Sequence, residues 1–385
     1  MHRLGGLLSI ISCSLLFSAL CSAHVAAGET VLIGYSGPLS GLSASYGKSM
    51  MNAVQLAIDE TNQRRNIIAG KKVFYKLSAH DDREDTHMAV TVAKYLVQSP
   101  VVGVIGNTNT TNSMSTAPLF EAARLAHISP STSGRNYTRM GYRSSFRAIG
   151  HDEQAIDILV PYLLDDLHMA RIAMINSRTQ FGTGIGAQFA QALRENGADL
   201  LIHDTVSGRT FDFNAALNHI RHARVELIFF GGSVEQAVML ARSIKRKHIK
   251  ARLVSAMAGV AGEYFRNNAG VDGEGSISLE YGLPAEKMPG WNQFAARYRK
   301  TFSDQINPFT VCAYDATKVL IAAIEQANST DRKRIVDALH TIHYHGVTGA
   351  IAFDARGDLI KPFFTLYEMH NLRWHAVKIV QAKNN

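Results

Sequence analysis

The stretch VVGVIGNTNTTNSMSTAP (Val101–Pro118) joins an apolar strand directly to a run of small polar residues. A continuous apolar strand of this kind is typical of a parallel sheet that is covered on both faces. The residues from Asn107 then open a helix, and the start of a helix carries free N–H groups and partial positive charge. Ligands bind beyond the carboxyl ends of strands in such sheets. The stretch therefore predicts an α/β fold with a site for an anion of carboxylate size, although simple N-capping by Thr and Asn would explain the same residues.

A second stretch repeats this chemistry. AHISPSTSGR (Ala126–Arg135) is a short strand followed by a proline and three hydroxyl-bearing residues. An interaction with a helix N-terminus contributes only about 0.3–2 kcal/mol. A tight site therefore needs enclosure as well as hydrogen-bond donors, and a second lobe that closes over the ligand would supply it.

Strands and helices alternate along the rest of the chain in two series, with the second beginning near residue 150. This order predicts two doubly wound lobes with parallel sheets, and a chain of 385 residues is long enough for both. We expect residues 28–150 plus 281–365 to form lobe I and residues 151–280 plus 366–385 to form lobe II. The chain would then cross between the lobes near residues 150, 280 and 365, which gives a hinge of three crossovers.

The amino-terminal residues have the order of a secretory signal. MHR carries the only early charge, LGGLLSIISCSLLFSAL is apolar, and small residues follow up to Ala27. We expect a signal peptide over residues 1–27 with cleavage after Ala27, or alternatively after Ala23, and export to the periplasm. Cleavage would remove Cys13 and Cys21 and leave Cys312 without an intramolecular disulfide partner.

Composition and motifs weigh against several functions. The formal net charge is +8, but an exported protein does not routinely meet nucleic acid, and the basic run Arg242–Arg252 lacks aromatic residues for base stacking. The sequence GTGIGA (182–187) fits a dinucleotide fingerprint, yet SRTQF separates it from its strand. HIRH (219–222) and HTIHYH (340–345) lack the further ligands of a structural zinc site, and there is no G-x-S-x-G motif. We therefore expect no enzyme activity, no cofactor, no metal and no nucleic-acid partner.

The chain resembles the branched-chain amino-acid-binding proteins of ABC importers, the leucine/isoleucine/valine-binding type of periplasmic solute-binding protein. The resemblance runs in order across the chain after residue 27. Its motifs are IGYSGPLSGLSASYGKSMMNAVQLAI, HDDREDTHMAVTVAKYL, VIGNTNTT, HISPSTS, FRAIGHDEQ, RIAMINSRTQFGTG, FFGG and TGAIAFDARGDL.

The resemblance implies a type I periplasmic binding protein fold, in which a monomer closes on a ligand in the cleft and delivers it to a membrane permease. The same fold also serves sensors that signal to a membrane receptor, and the sequence does not separate the two roles. By the resemblance, Thr110 matches the hydroxyl residue that holds the ligand carboxylate. Ser131 matches a position that contributes backbone groups, and Ser133 the hydroxyl that bridges the carboxylate and amino ends. Tyr46, Phe181 and Phe309 match positions that form the aromatic or apolar walls of the pocket.

The sequence departs from this pattern where the family usually neutralises the ligand ammonium. Met257 or Ala258 stands in place of the acid, and Ser233 replaces a frequent Tyr. An unpaired buried ammonium costs several kcal/mol, which favours a carboxylate ligand with an apolar or aromatic body and no obligatory amino group. Alternatively, the strand register differs, or Glu280 or Asp152 supplies the charge. Glu84 and Asn109 occupy the places of a cysteine pair found in some relatives.

Overall fold

The computed structural model describes residues 28–303 and 305–383, so the predicted signal peptide lies outside the described residues. Within them, no helix combines the length and the apolar character needed to cross a membrane. The strands and helices follow one another in this order: β1 (Glu29–Gly37), α1 (Ala44–Asn62), β2 (Asn66–Ile68), β3 (Lys71–Asp81), α2 (Thr86–Gln98), β4 (Val101–Gly106), α3 (Thr110–Ala122), β5 (Ala126–Ser129), α4 (Asn136–Arg139), β6 (Ser145–Arg147), α5 (Asp152–Pro161), β7 (Ile172–Ser177), α6 (Gln180–Glu195), β8 (Leu200–Val206), α7 (Asn214–Ile220), β9 (Leu227–Gly231), α8 (Val234–Arg246), β10 (Arg252–Ala256), α9 (Glu263–Ala269), β11 (Ile277–Tyr281), α10 (Trp291–Thr301), α11 (Thr310–Ala327), α12 (Arg332–Leu339), β12 (Tyr344–His345), β13 (Ala350–Ile351), β14 (Phe363–His370) and β15 (Arg373–Gln381).

Two large sheets form the centres of the two lobes. The first has the strand order β2-β3-β1-β4-β5-β6, in which only β2 is antiparallel to its neighbour. The second has the order β15-β14-β11-β10-β9-β7-β8, in which β7 to β11 are parallel and β14 and β15 are antiparallel additions at one edge. The predicted fold class of two doubly wound lobes is therefore confirmed.

Four residues that the predicted boundaries assigned to lobe I belong to the second sheet. Tyr281 ends β11, and residues 363–365 begin β14. These two strands pair in antiparallel fashion, with Tyr281 opposite Phe364, and the N–H of Gly282 donates to the carbonyl of Phe363 at 2.7 Å. Backbone pairing of this kind joins distant parts of the chain, and no local pattern in either segment indicates it.

The segment that follows β11 returns to the first sheet. Helix α11 packs against α1 and β4, and its approach to β4 depends on Gly103. A side-chain carbon at Gly103 would lie 2.7 Å from the Leu320 side chain of α11. Phe309 immediately precedes α11. This packing therefore brings Phe309 to the edge of the first sheet at which β4 ends.

Candidate functional site

A cavity of about 630 Å³ lies between the two lobes and receives side chains from both. Its first-lobe wall includes the start of α3 and the turn after β5, and its second-lobe wall includes the starts of α6 and α8. The structure brings together in this one cavity all the residues that the sequence indicated: Tyr46, Thr110, Ser131, Ser133, Phe181, Ser233, Met257 and Phe309.

The two hydroxyl-bearing turns of the first lobe form a single hydrogen-bonded unit. The Ser131 hydroxyl donates to the carbonyl of Thr108 at 2.9 Å, and the N–H of Gly134 donates to the Thr110 hydroxyl at 3.2 Å. Behind them, the hydroxyls of Ser113 and Thr132 lie 2.6 Å apart. The turns therefore hold each other in register.

This unit offers several unused N–H groups to the cavity. Asn109 caps α3 by accepting a hydrogen bond from the N–H of Asn112 at 2.8 Å, which leaves the N–H groups of Thr110 and Thr111 without an acceptor among the described residues. The N–H groups of Ser131 and Ser133 also have none there. The amides of Thr110 and Thr111 lie at the positive end of α3, and those of Ser131 and Ser133 lie in the adjoining turn after β5. Such a set of N–H groups is a suitable environment for a carboxylate.

A fully buried arginine supports the second turn from behind. The Arg147 side chain donates to the carbonyls of Thr132 and Gly134 at 3.0 and 3.1 Å, on either side of Ser133. Its Nε lies 2.6 Å from a carboxylate oxygen of Asp358. Arg147 is 0% exposed, so its charge depends on these partners.

A buried histidine supports the first turn. The N–H of Asn107 donates to Nε2 of His127 at 2.9 Å, so that nitrogen is unprotonated and Nδ1 carries the proton towards the Tyr137 hydroxyl, 2.9 Å away. Burial lowers the pKa of His127 to about 3. The neutral ring therefore fixes the backbone just before the start of α3.

We expect His127 to make the fold sensitive to acid. The pKa is about 6.5 in the unfolded chain and about 3 in the folded one, so the unfolded state binds the extra proton between these values. The stability due to neutral His127 is complete above pH 6.5 and falls towards pH 3, by up to about 1.4 kcal/mol per pH unit. The measurement is the free energy of unfolding in urea from pH 7 to pH 4, for the wild type and for His127→Gln.

The difference between the two curves isolates His127, because the other buried groups titrate in both proteins. Among these, Asp152 has the opposite effect, since burial raises its pKa to about 7. The wild type should lose stability more steeply than the glutamine variant below pH 6.5. Parallel curves would contradict the assigned role of the neutral ring.

The second-lobe wall is built from two helix starts and one strand end. Phe181 lies in the first turn of α6, and Ser233 is the N-cap of α8. The Ser233 hydroxyl accepts the N–H of Gln236 at 3.4 Å, so it retains its own proton for a ligand. Met257 follows β10 with a φ of 58°, and its N–H donates to the carbonyl of Leu279 at 2.8 Å.

Aromatic residues of the first lobe contact the second lobe beside the cavity. The ring of Tyr46 meets that of Tyr264 edge to face, with 6.2 Å between centroids. A side-chain carbon at Gly259 would lie 3.1 Å from the Phe309 ring, and Gly259 has a φ of 70° that favours glycine. Tyr46 and Phe309 thus line the cavity at a place where the two lobes touch.

Neither acid that the sequence offered as a replacement at Met257 lines the cavity. The carboxylate of Glu280 is buried and accepts the N–H groups of Gly259 and Ala261 at 3.0 and 3.3 Å. Asp152 is fully buried behind Ser133, to whose carbonyl its N–H donates at 2.9 Å.

Among the described residues, the acids that line the cavity are Glu84 and Glu235, and neither was predicted from the sequence as a ligand contact. A signal for Glu235 was present. It follows the carboxyl end of β9 by four residues, and the rule that selected Thr110 in lobe I applies equally to lobe II.

The motifs of the rival functions have other places in the structure. GTGIGA lies inside α6 rather than in the turn between a strand and a helix. Nδ1 of His219 lies 3.1 Å from a carboxylate oxygen of Asp204. Nε2 of His340 lies 2.9 Å from the carbonyl of Arg143.

Comparisons with known proteins agree with this architecture. A family model described as periplasmic binding protein matches residues 30–368. The leucine-, isoleucine-, valine-, threonine- and alanine-binding protein of Pseudomonas aeruginosa is 26% identical over 363 residues, which cover 93% of this chain and 95% of that protein.

Two solved structures show the same fold. One is a branched-chain amino acid transporter substrate-binding protein from Streptococcus pneumoniae in complex with isoleucine, with a TM-score of 0.82, 23% identity and coverage of 92% of this chain and 100% of the other. The other is an ABC transporter solute-binding protein from R. palustris in complex with 4-hydroxybenzoate, with a TM-score of 0.82, 17% identity and coverage of 92% and 98%. At these identities the likeness concerns the fold alone.

Proposed function

The chain belongs to the periplasmic binding protein family, and from this premise we propose that it is the substrate-binding component of an ABC importer. It captures an amino acid or a related small carboxylate between its lobes and delivers it to a membrane permease. The observation that supports this proposal most is the meeting of the two hydroxyl-bearing turns in one cavity opposite the second lobe.

The first step of the mechanism is capture of the ligand carboxylate by the first lobe. The free N–H groups of Thr110, Thr111, Ser131 and Ser133 and the Ser133 hydroxyl are the donors. Hydrogen bonds to a charged group contribute about 1.5–3 kcal/mol each. No atom of the ligand changes its covalent bonding in this step, so the protein acts as a carrier and not as an enzyme.

The second step is closure of the lobes around the ligand body. Tyr46 and Phe309 cover it from the first lobe, and Phe181 and Met257 cover it from the second. A ligand that contacts both walls binds the closed state better than the open state, and this difference drives closure. Export to the periplasm and action as a monomer belong to the same proposal.

The experiment is isothermal titration calorimetry of the purified protein in EDTA-containing buffer. The panel contains leucine, isoleucine, valine, threonine, alanine, phenylalanine, benzoate and 4-hydroxybenzoate. We expect at least one carboxylate to bind with a Kd of about 1 µM or less, and the uncharged amide of the same compound to bind far more weakly. If the panel and the small molecules that co-purify with the protein include no such ligand, the proposal fails.

Delivery to a permease is tested in the source organism. Deletion of the gene should abolish uptake of the ligand that calorimetry identifies, and the gene with intact pocket residues should restore it. Unchanged uptake would separate ligand binding from import and contradict this part of the proposal.

A further inference from the structure

A buried carboxyl group lies directly behind a serine that lines the cavity. Asp152 is the first residue of α5, and its N–H donates to the carbonyl of Ser133 at 2.9 Å. Asp152 is 0% exposed and does not line the cavity, whereas Ser133 does. Asp152 can therefore influence a ligand through Ser133 and through its own charge, but not by contact.

Neither carboxyl oxygen of Asp152 has a hydrogen-bond partner among the described residues. A buried polar group without a partner is costly, and a buried charge without one is costlier still. Burial accordingly raises the pKa of Asp152 to about 7, although the Ser133 hydroxyl and then the charge of Arg147 counteract this effect in part. Of the groups that favour the ionised carboxyl, the Ser133 hydroxyl thus has the largest influence.

The ionisable groups nearest to Asp152 are neutral or engaged elsewhere. Arg147 on β6 donates to two backbone carbonyls and pairs with Asp358 at 2.6 Å, and it forms no ion pair with Asp152. Burial lowers the pKa of His151, the N-cap of α5, to about 4, so that this ring is neutral near pH 7. No cation therefore neutralises an ionised Asp152 within the described part of the chain.

The remaining ionisable groups around the start of α5 do not change this conclusion. Glu153 pairs with Arg135 at 2.5 Å. On the elements packed against α5, the ionisable residues are Arg194 and Glu195 at the end of α6, Arg252 at the start of β10, and Glu280 and Tyr281 on β11. Of the charged groups, only Arg147 acts appreciably on the Asp152 carboxyl.

We propose that Asp152 is a positioning residue for carboxylate binding, which in its protonated form holds Ser133 as a donor to the ligand and in its ionised form opposes binding. This inference rests on the proposed function and deepens it. Capture of the ligand carboxylate is coupled to uptake of one proton by a group that does not touch the ligand.

The two forms of Asp152 have opposite effects on the Ser133 hydroxyl. A protonated Asp152 donates its O–H to the hydroxyl oxygen, which leaves the hydroxyl proton for the ligand. An ionised Asp152 accepts that proton in a hydrogen bond and places a second negative charge near the ligand carboxylate. The proton that Asp152 takes up comes from the solvent and binds to a carboxyl oxygen, while the ligand carboxylate stays ionised.

Binding of the ligand should therefore weaken as the pH rises. The pKa of Asp152 is about 7 without ligand, and a bound carboxylate raises it further because it disfavours a second charge. Well below pH 7, Asp152 is protonated with or without ligand, and the Kd is constant. Above pH 7, the free protein must take up a proton in order to bind, so the Kd rises by up to about tenfold per pH unit.

The test is calorimetry with leucine, phenylalanine, benzoate and the other compounds of the panel between pH 6 and pH 8.5. For each compound that binds, the wild-type Kd should rise about tenfold or more over this range. In Asp152→Asn the amide has the shape of the carboxyl but no charge, so the Kd should change by about threefold or less. Titration of the ligand itself affects both proteins equally and cancels in the comparison.

Two further readouts distinguish a positioning role from a purely structural one. At pH 8.5, Asp152→Asn should bind more tightly than the wild type, because its amide is a donor to Ser133 at every pH. A residue that only stabilised the fold would give weaker binding instead.

The second readout is the number of protons taken up at pH 8, measured by calorimetry in phosphate and in Tris, which differ in ionisation enthalpy. The wild type should take up about one proton per ligand, and Asp152→Asn none. The wild-type value needs no variant, and Asp152→Ser replaces the asparagine protein if that protein does not fold.

Asp157→Asn is the matched control. Asp157 lies on the same helix but is exposed and outside the cavity, so this variant should keep both the pH dependence and the proton uptake of the wild type.

Each other outcome counts against a definite statement. A wild-type Kd that does not change with pH, without proton uptake, overturns the inference and leaves the proposed carboxylate capture standing. A pH dependence that persists in Asp152→Asn assigns the proton to another group and also overturns the inference. If no carboxylate of the panel binds at any pH, the proposed function itself is contradicted, and the inference falls with it.

Discussion

Arg147→Met is expected to lower the free energy of unfolding by about 3–5 kcal/mol. The side chain is 0% exposed, and its removal leaves the carbonyls of Thr132 and Gly134 without their donors and the Asp358 carboxylate without its cation. Methionine fills a similar volume but supplies no donor. Urea denaturation monitored by circular dichroism gives the change directly.

Arg143→Met is the matched control, since Arg143 forms an exposed ion pair with Asp337 at 3.2 Å. Exposed pairs contribute about 0–1 kcal/mol, so this variant should remain close to the wild type. If the Arg147→Met protein does not fold, Arg147→Lys provides the measurement, because it keeps the charge but not the planar group that reaches both carbonyls. A loss as small as that of the control would show that Arg147 does not hold the turn.

Ser133→Ala is expected to weaken carboxylate binding at least several-fold, and about tenfold if its hydroxyl donates directly to the charged group. The side chain lines the cavity and is only 2% exposed. Its loss leaves a charged oxygen of the ligand with one donor fewer in a place that water reaches poorly. Calorimetry with the tightest-binding carboxylate of the panel measures the change.

The control for this variant is Ser115→Ala on the same helix as Thr110. The Ser115 hydroxyl donates to the carbonyl of Thr111 at 2.8 Å and does not line the cavity, so the affinity should not change. Both variants should melt close to the wild-type temperature. An unchanged affinity of Ser133→Ala would remove Ser133 from the site.

The sequence was informative where local pattern and topology act together. The apolar run before Asn107 and the run before Ser131 both indicated strands of a parallel sheet, and polar residues after such strands meet at one edge of the sheet. The hydroxyl-bearing turns therefore could be predicted to lie together, and the structure places them within hydrogen-bonding distance of each other. Similarly, the alternation of strands and helices along the chain was sufficient to predict the fold class.

Other features depend on contacts that no local pattern contains. The burial of Arg147 requires Asp358, which is 211 residues away in the sequence and belongs to the segment that follows β11. Glu84 and Glu235 line one cavity only because two separately folded sheets face it. The sequence at the end of β10 holds Met257 and no acid, and for this reason it predicted a ligand without an obligatory amino group.

In the proposed mechanism, the N–H and hydroxyl donors of the first lobe bind the ligand carboxylate in the cavity between the lobes. A crystal structure of the protein with its tightest-binding carboxylate would show whether they do. We predict that the carboxylate oxygens lie about 2.7–3.2 Å from the N–H groups of Thr110 and Ser133, with the ligand body covered by Phe181 and Phe309. A ligand bound outside this cavity, or one whose carboxylate faces the second lobe or bulk water, would rule out this mechanism.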